Sequence, residues 1–293
     1  MKKLLAALLA AAMITTAFAG CASSGDSSSA ADNNSSSQSE SQSGSESQSD
    51  AALSGILKLS GSTSMEKVAK AWGEAFTAEN PDVTVDVQLG GSGAAVTNVN
   101  DGVSDIGNLS RALKDEEKEG LTENTVALDG IAVAVNPANG VEDLTIDQIK
   151  DIFLGNITNW SELGGSDAEI VVVGREAGSG TRDGFEEIVG VKDEAQYDSE
   201  LNETGQVKNL VATNENAIGY ISLDYVDDTV KALKVGGVSP SEETIKDGSY
   251  TLQRPFIMVT KGEGTELAQA FLEYVLSEAG QEVAKTAGCI PVI

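Results

Sequence analysis

Arg175-Glu176-Ala177-Gly178-Ser179-Gly180-Thr181-Arg182 is the stretch whose reading decides the fold. The apolar run Ile170 to Val173 before it reads as a strand, and the amphipathic run Thr181 to Val189 after it reads as a helix. A strand entering a helix through Gly-Ser-Gly-Thr sets unpaired backbone N–H groups and two hydroxyls at a helix N-terminus, which suits an anion. Arg175 adds a planar, permanently charged fork that matches a tetrahedral oxyanion. No Lys follows the glycines, so this is not a nucleotide-binding Walker loop. A well-capped helix behind a tight turn would have the same local sequence.

Working outward, the same device recurs. Ile56 to Ser60 reads as a strand and Gly61-Ser62-Thr63-Ser64 as a turn, followed by Met65, Val68, Ala69, Trp72, Ala75 and Phe76 at helical spacing. Val83 to Leu89 alternates as a strand does, and Gly90-Gly91-Ser92-Gly93 leads from it into Ala94-Ala95-Val96. Val103-Ser104-Asp105-Ile106-Gly107 places a lone carboxylate in a short apolar loop. Thr125 to Val135 is a long strand-like run, Ile146 to Phe153 a helix and Ile218 to Leu223 a strand. Arg254 to Val259 reads as a returning strand, and Glu263 to Leu276 and Ala279 to Thr286 as closing helices. Strands alternating with helices imply an α/β fold with largely parallel sheets. Ligands bind at the strand ends of such sheets. A cleft between two lobes would let both sets of turns face one ligand. Trp72 and Trp160 are expected in the core or cleft wall, and Arg182 in a helix-surface ion pair.

Charge and composition narrow the function. The chain carries a net charge of −27, with 19 basic and 46 acidic residues. A surface this acidic will not hold nucleic acid by charge. It also repels small anions at long range, an effect that salt screens beyond about 8 Å. An anion site must therefore depend on local hydrogen bonds. The sequence has no His, which removes Ser-His-Asp catalysis and the commonest zinc ligand. With no His and one free Cys, neither a structural metal nor a cofactor is expected, and the chain does not read as an enzyme.

The N-terminal region indicates where the protein works. Met1-Lys2-Lys3 is a short basic start, Leu4 to Phe18 is apolar and small, and Ala19-Gly20-Cys21 closes the segment. Residues 1–20 look like a lipoprotein signal peptide cleaved before Cys21, whose thiol would carry the lipid. Phe18 stands where Leu is usual. The apolar run is short for a membrane span. Residues 21–52, rich in Ser with Gln, Asn and Glu, have little to bury and read as a flexible tether. The expectation is a protein anchored by lipid outside the cytoplasmic membrane. Cys289 is the only other cysteine and is expected as a buried free thiol.

These residues converge on a family. Gly61-Ser62-Thr63-Ser64, Gly90-Gly91-Ser92-Gly93, Ser104-Asp105-Ile106-Gly107 and Arg175…Gly178-Ser179-Gly180-Thr181 occur in order and spacing resembling the phosphate-binding proteins of Pst-type ABC importers. Ala217 to Ile221 and Gly288 to Pro291 share the likeness. The resemblance runs from about Leu53 to the C-terminus. It implies a two-lobed periplasmic-binding-protein fold (type II), with two crossing strands near Val133 to Asn136 and Leu252 to Phe256. Residues 53–134 and 253–293 would form lobe 1, and 135–252 lobe 2.

The resemblance also implies roles. Thr63, Ser64 and Ser92 would donate to phosphate from lobe 1, Ser64 through its backbone N–H. Arg175, Ser179, Gly180 and Thr181 would donate from lobe 2. Asp105 would accept the proton of hydrogen phosphate, which sulfate lacks. Two facing acceptors costing about 4 kcal/mol would give roughly 1000-fold discrimination. Some family members carry an Asp where this chain has Ala177, so Glu176, Asp105 or no group at all would orient Arg175. The implied function is capture of hydrogen phosphate by a monomer and delivery to an ABC permease. The competing readings are another oxyanion, sulfate or molybdate, and a phosphate-ester hydrolase using a hydroxyl nucleophile.

Overall fold

The structure, a computed structural model, describes residues 52–293. The expected signal segment, Cys21 and nearly all of the tether lie outside the described residues. The chain begins with strand β1 (Gly55–Gly61), helix α1 (Glu66–Glu79), β2 (Val83–Leu89), α2 (Gly91–Asn100) and β3 (Ile106–Leu109). The long β4 (Leu121–Val135) leads to β5 (Asp143–Leu144), α3 (Ile146–Phe153), β6 (Val171–Arg175), α4 (Gly180–Val189) and β7 (Ser199–Leu201). Then come α5 (Thr204–Thr213), β8 (Ala217–Ser222), β9 (Lys231–Ala232), β10 (Lys234–Val235) and α6 (Glu242–Lys246). The chain closes with β11 (Gln253–Lys261), α7 (Glu266–Leu276) and α8 (Glu278–Thr286).

The strands lie in the order β2-β1-β3-β11-β4-β8-β6-β7, with β9 on β4. β1 is parallel to β2 and β3, and β6 is parallel to β7 and β8. β11 and β4 run antiparallel to their neighbours and join the two parallel halves. The expectation of largely parallel sheets thus holds within each half and fails at the two strands that cross between them. A crossing strand must serve two sheets, and β4 does so by changing partners. Through Gly130 it pairs with β11, and from Ile131 onward with β8. That switch falls a few residues before the Val133–Asn136 expected for it. The run from Val126 to Val135 is buried almost throughout, so no change in polarity marks the crossing.

The core divides along the same line. Leu57, Leu59, Trp72, Ile106, Phe256 and Phe271 belong to one cluster, and Val133, Phe153, Trp160, Phe185, Ile218 and Tyr220 to another. In α1 the buried Val68, Ala69, Trp72 and Phe76 make one stripe, as the helical spacing requires. The indole N–H of Trp72 donates to the Gly280 carbonyl at 2.7 Å, and that of Trp160 to the Asn216 carbonyl at 3.0 Å. Both tryptophans are fully buried packing residues. Cys289 is a buried free thiol.

An ion pair is buried at the crossing. Asp129 on β4 accepts from Arg254 Nε at 3.0 Å and Nη2 at 2.8 Å, and from the Ser222 hydroxyl at 2.7 Å. Removing one partner would strand a buried charge, at a cost of about 3–5 kcal/mol. The C-terminal segment spans the same place. Ile290 and Leu128 exchange both backbone hydrogen bonds, at 2.8 and 3.0 Å. The fold is therefore two-lobed, with β4 and β11 carrying the chain between lobes beside this tail.

Candidate functional site

Four helix starts meet between the lobes. β1 ends at Gly61, whose φ of +135° and close approach to the Asn108 carbonyl leave no space for a side chain. The chain then turns through Ser62 into a short 3-10 turn, Thr63–Met65, ahead of α1. β2 ends at Leu89 and α2 begins at Gly91-Ser92. β6 ends at Arg175 and α4 begins at Gly180-Thr181 behind the cap Ser179. β7 ends at Leu201 and α5 begins at Thr204. The first-turn amides of each helix lack intrahelical acceptors and carry the positive end of its dipole.

The side chains at these starts touch across the lobes. Ser64 Oγ lies 2.7 Å from Thr181 Oγ1 and 3.1 Å from Thr204 Oγ1. Thr63 Oγ1 lies 3.1 Å from Thr204 Oγ1 and accepts from the Thr204 amide at 3.3 Å. Arg175 Nη1 donates to Thr204 Oγ1 at 3.1 Å. A second hydroxyl group adjoins the first. Ser62 Oγ donates to Ser110 Oγ at 2.8 Å, and the Ser110 amide donates to Ser92 Oγ at 3.1 Å. Gly180 closes over this pair: a Cβ there would stand 2.3 Å from Ser92 Oγ and 2.6 Å from Ser110 Oγ. The Gly93 amide donates to the Gly178 carbonyl at 3.0 Å, a direct backbone link between lobes. All of these hydroxyls and Arg175 are buried.

Arg175 is held by four acceptors besides Thr204. Nε donates to the Leu201 carbonyl at 3.1 Å and to Glu176 Oε2 at 3.2 Å. Nη2 donates to Glu176 Oε1 at 3.1 Å and to the Asn202 carbonyl at 2.9 Å. Of the three possibilities left open by Ala177, Glu176 is the group that orients the guanidinium. The Arg175–Glu176 pair is close to neutral, so attraction for an anion comes from helix ends and hydroxyl dipoles. That answers how so acidic a chain could hold one. Tyr225 reaches from the second lobe to donate to the Thr63 carbonyl at 3.1 Å. Burial, with Asp224 and Glu66 nearby, pushes its phenol up and keeps it a neutral donor. Among the described residues, no group of three or more His, Cys, Asp or Glu is placed to hold a metal ion.

A family model described as a PBP superfamily domain matches residues 36–279. The phosphate-binding protein PstS of Bacillus subtilis is 38% identical over 99% of this chain and 94% of its own length. The chain belongs to the PstS family of phosphate-binding proteins. A Clostridium perfringens structure, described as a phosphate ABC transporter substrate-binding protein with bound phosphate, is 49% identical. It superposes with a TM-score of 0.80 over 82% of this chain and all of that one. An ABC-type phosphate transport receptor from Vibrio cholerae is 35% identical, with a TM-score of 0.68 over 80% of this chain and 99% of that one.

Within this family fold, the sequence-derived residues do not all converge. Thr63, Ser64, Ser92, Arg175, Ser179, Gly180 and Thr181 lie at the meeting point. Ser179 Oγ accepts from the Arg182 amide as the α4 cap, which leaves its own proton to donate. Arg182 pairs at 2.8 Å with both Glu186 and Glu200; Glu200 is exposed but Glu186 is buried, so the pairing is only in part the helix-surface one expected.

Asp105 does not join them. It precedes β3, at the opposite end of that strand from the hydroxyls. It lies five positions before Ser110, about 16 Å at strand rise. Its carboxylate instead accepts from the Lys58 amide at 2.9 Å, and its own amide donates to the Lys58 carbonyl at 2.8 Å. Asp105 is a β-ladder bracket, and the reading of it as acceptor of a ligand proton is corrected. The physical reason is direction: parallel strands put their binding ends at their C-termini, and Asp105 is at an N-terminus.

Ser110, Thr204, Ser62 and Tyr225 are the site residues that sequence reasoning undervalued or missed. Thr204-Gly205 before Val207 and Val211 repeats the hydroxyl-glycine helix start and could have been found by that pattern. Ser110 follows a strand of only four residues, too short to show its direction.

Proposed function

We propose that this protein captures inorganic phosphate between its lobes, outside the cytoplasmic membrane, and delivers it to an ABC permease. The observation that carries the reading is the chain of hydroxyl contacts from Thr181 through Ser64 to Thr204 at the starts of α4, α1 and α5, with Thr204 accepting from Arg175 Nη1. Hydroxyls both donate and accept, so such a set serves four oxygens of which some are protonated. Charge-assisted hydrogen bonds contribute about 1.5–3 kcal/mol each, before the cost of closing the lobes. Micromolar or tighter binding follows from a handful of them. The names of the Bacillus, Clostridium and Vibrio relatives support phosphate as the ligand and transport as the purpose.

The remaining parts of the reading rest on sequence. Residues 1–20 would be removed, Cys21 lipidated, and 21–52 would tether a monomeric receptor to the membrane. Residues 53–134 with 253–293 form lobe 1, and 135–252 lobe 2, in this scheme. No chemistry on the ligand belongs to this reading: among the described residues, the site hydroxyls of Thr63, Ser64, Thr181 and Thr204 bond to one another and none is hydrogen-bonded to a carboxylate. Calorimetric titration of ligand-stripped protein with phosphate and with sulfate at neutral pH tests the function. One-to-one phosphate binding with little sulfate signal is expected. Sulfate binding of equal strength would refute phosphate selectivity, and release of phosphate from a monoester would revive a hydrolase.

A further inference from the structure

Asp183 occupies the first turn of α4, three residues beyond Gly180, where a negative charge would oppose an incoming anion. The helix dipole favours a carboxylate there, but a bound anion at the same helix end does not unless the carboxylate's charge is cancelled. The opposite lobe supplies two cations. Arg111 Nε stands 2.8 Å from Asp183 Oδ2, and Lys114 Nζ stands 3.2 Å from the same oxygen. The Arg111 contact is an ionic one without a directed hydrogen bond.

Arg111 is fixed within its own lobe before it meets Asp183. Its Nη1 and Nη2 pair with the two Glu117 oxygens at 2.6 and 2.8 Å, and Nη1 also donates to the Ala112 carbonyl at 2.8 Å. Glu117 Oε2 further accepts from the Lys114 amide at 2.9 Å. That leaves the Nε edge as the face presented to the other lobe. Burial works against the charge, yet Glu117 and Asp183 together hold the guanidinium above its ordinary value. Arg111 also follows Ser110 directly, so the ion cluster adjoins the hydroxyl set that Gly180 closes upon.

We infer that Arg111 and Lys114 on one lobe and Asp183 on the other form an ion-pair clasp, made only when the lobes close. The clasp positions the closed state and slows release of the captured anion, and it cancels the Asp183 charge beside it. In the open state the cations and Asp183 are parted and solvated. The clasp rests on the phosphate-binding reading above, because its readout is retention of phosphate. It assigns Arg111, Lys114 and Asp183 as positioning residues that do not touch the ligand.

The two electrostatic effects of Asp183 have opposite signs, which makes the test decisive. If repulsion of the anion dominates, Asp183→Asn tightens binding. If the clasp dominates, the same change weakens it. The experiment measures release of radiolabelled inorganic phosphate from the mature full chain, diluted into excess unlabelled phosphate, with affinities measured in parallel.

Asp183→Asn is expected to release phosphate about tenfold faster while its association rate stays within about twofold. Raising KCl from about 0.01 M to about 0.5 M should speed release from the unaltered protein and leave the variant nearly unaffected. Lys114→Met, exposed and removable without a buried defect, should speed release several-fold. Combined with Asp183→Asn it should add almost nothing. Melting without phosphate should be unchanged in Lys114→Met. Release as slow as wild type, or slower, in Lys114→Met and Asp183→Asn would overturn the clasp. An unaltered protein that retains no phosphate would instead overturn the phosphate reading on which the clasp stands.

Discussion

Replacing Thr204 by Val removes one hydroxyl and keeps the shape. In the structure that hydroxyl lies 3.1 Å from Thr63 Oγ1, from Ser64 Oγ and from Arg175 Nη1. Losing it takes a donor from the anion and leaves Arg175 Nη1, which is buried, short of an acceptor. A charge-assisted hydrogen bond contributes about 1.5–3 kcal/mol, so phosphate affinity should fall roughly ten- to hundredfold. The ligand-free protein should lose only about 1 kcal/mol of stability, because most contacts of Thr204 cross to the other lobe. Titration calorimetry with phosphate, with a melting curve of the stripped protein, reads both quantities. Thr204→Ser keeps the hydroxyl and should bind within a few-fold of the original. If Thr204→Val binds within about twofold of wild type, Thr204 does not face the ligand, and the convergence of helix starts is not the binding site.

Three other substitutions act at other points of the fold. Gly180→Ala would drive a methyl to 2.3 Å from Ser92 Oγ and 2.6 Å from Ser110 Oγ, across the lobe boundary. Closure should fail and phosphate binding should drop by more than about a hundredfold. The stripped protein should melt as before, since Ala suits a helix start, and calorimetry showing unimpaired binding would count against closure at this point. Asp105→Ala should cost about 1 kcal/mol by freeing the Lys58 amide. It should leave phosphate affinity and the phosphate-to-sulfate ratio intact, and a collapse of that ratio would restore the carboxylate to the site. Asp224 has no hydrogen bond to its carboxylate, and burial followed by Asp129 pushes it up to about 7 from an ordinary 3.8. Its folded form therefore holds the proton more tightly than the unfolded chain does. The contribution of Asp224 to stability is fully present below about 3.8 and is lost as pH rises through about 7. Asp224→Asn should flatten that slope in melts from pH 5 to 8, and an unchanged slope would assign it to other groups.

Much of the fold was legible because it is local. The apolar alternation of Val83 to Leu89, the stripe from Val68 to Phe76 and the run from Ile146 to Phe153 match the observed elements closely. So do the three hydroxyl-glycine turns that begin α1, α2 and α4. What escaped notice was short or polar. β7 has three residues, β3 has four, and α5 starts behind Asn202-Glu203 with no apolar approach. Thr204, the hydroxyl that touches Thr63, Ser64 and Arg175, begins α5 three positions beyond that unnoticed strand. Asp105 was misplaced for a related reason: a chemically suitable carboxylate near a glycine says nothing about which end of its strand it occupies.

The sequence by itself determined the chemistry available: no histidine, a strongly acidic surface, one arginine within a glycine-rich turn, and repeated hydroxyls at helix starts. These are properties of residue type and spacing within a few turns of chain, where backbone sterics and hydrogen bonding act. The tertiary structure alone decided which hydroxyls meet. Ser64 and Thr181, or Thr63 and Thr204, are more than a hundred residues apart and come within hydrogen-bond reach only through strand order and the crossing of β4 and β11. It also decided that Glu176 orients Arg175 and that Arg111 faces Asp183. Strand direction and lobe closure are global consequences of burying two cores, and no local pattern encodes the distance between their surfaces.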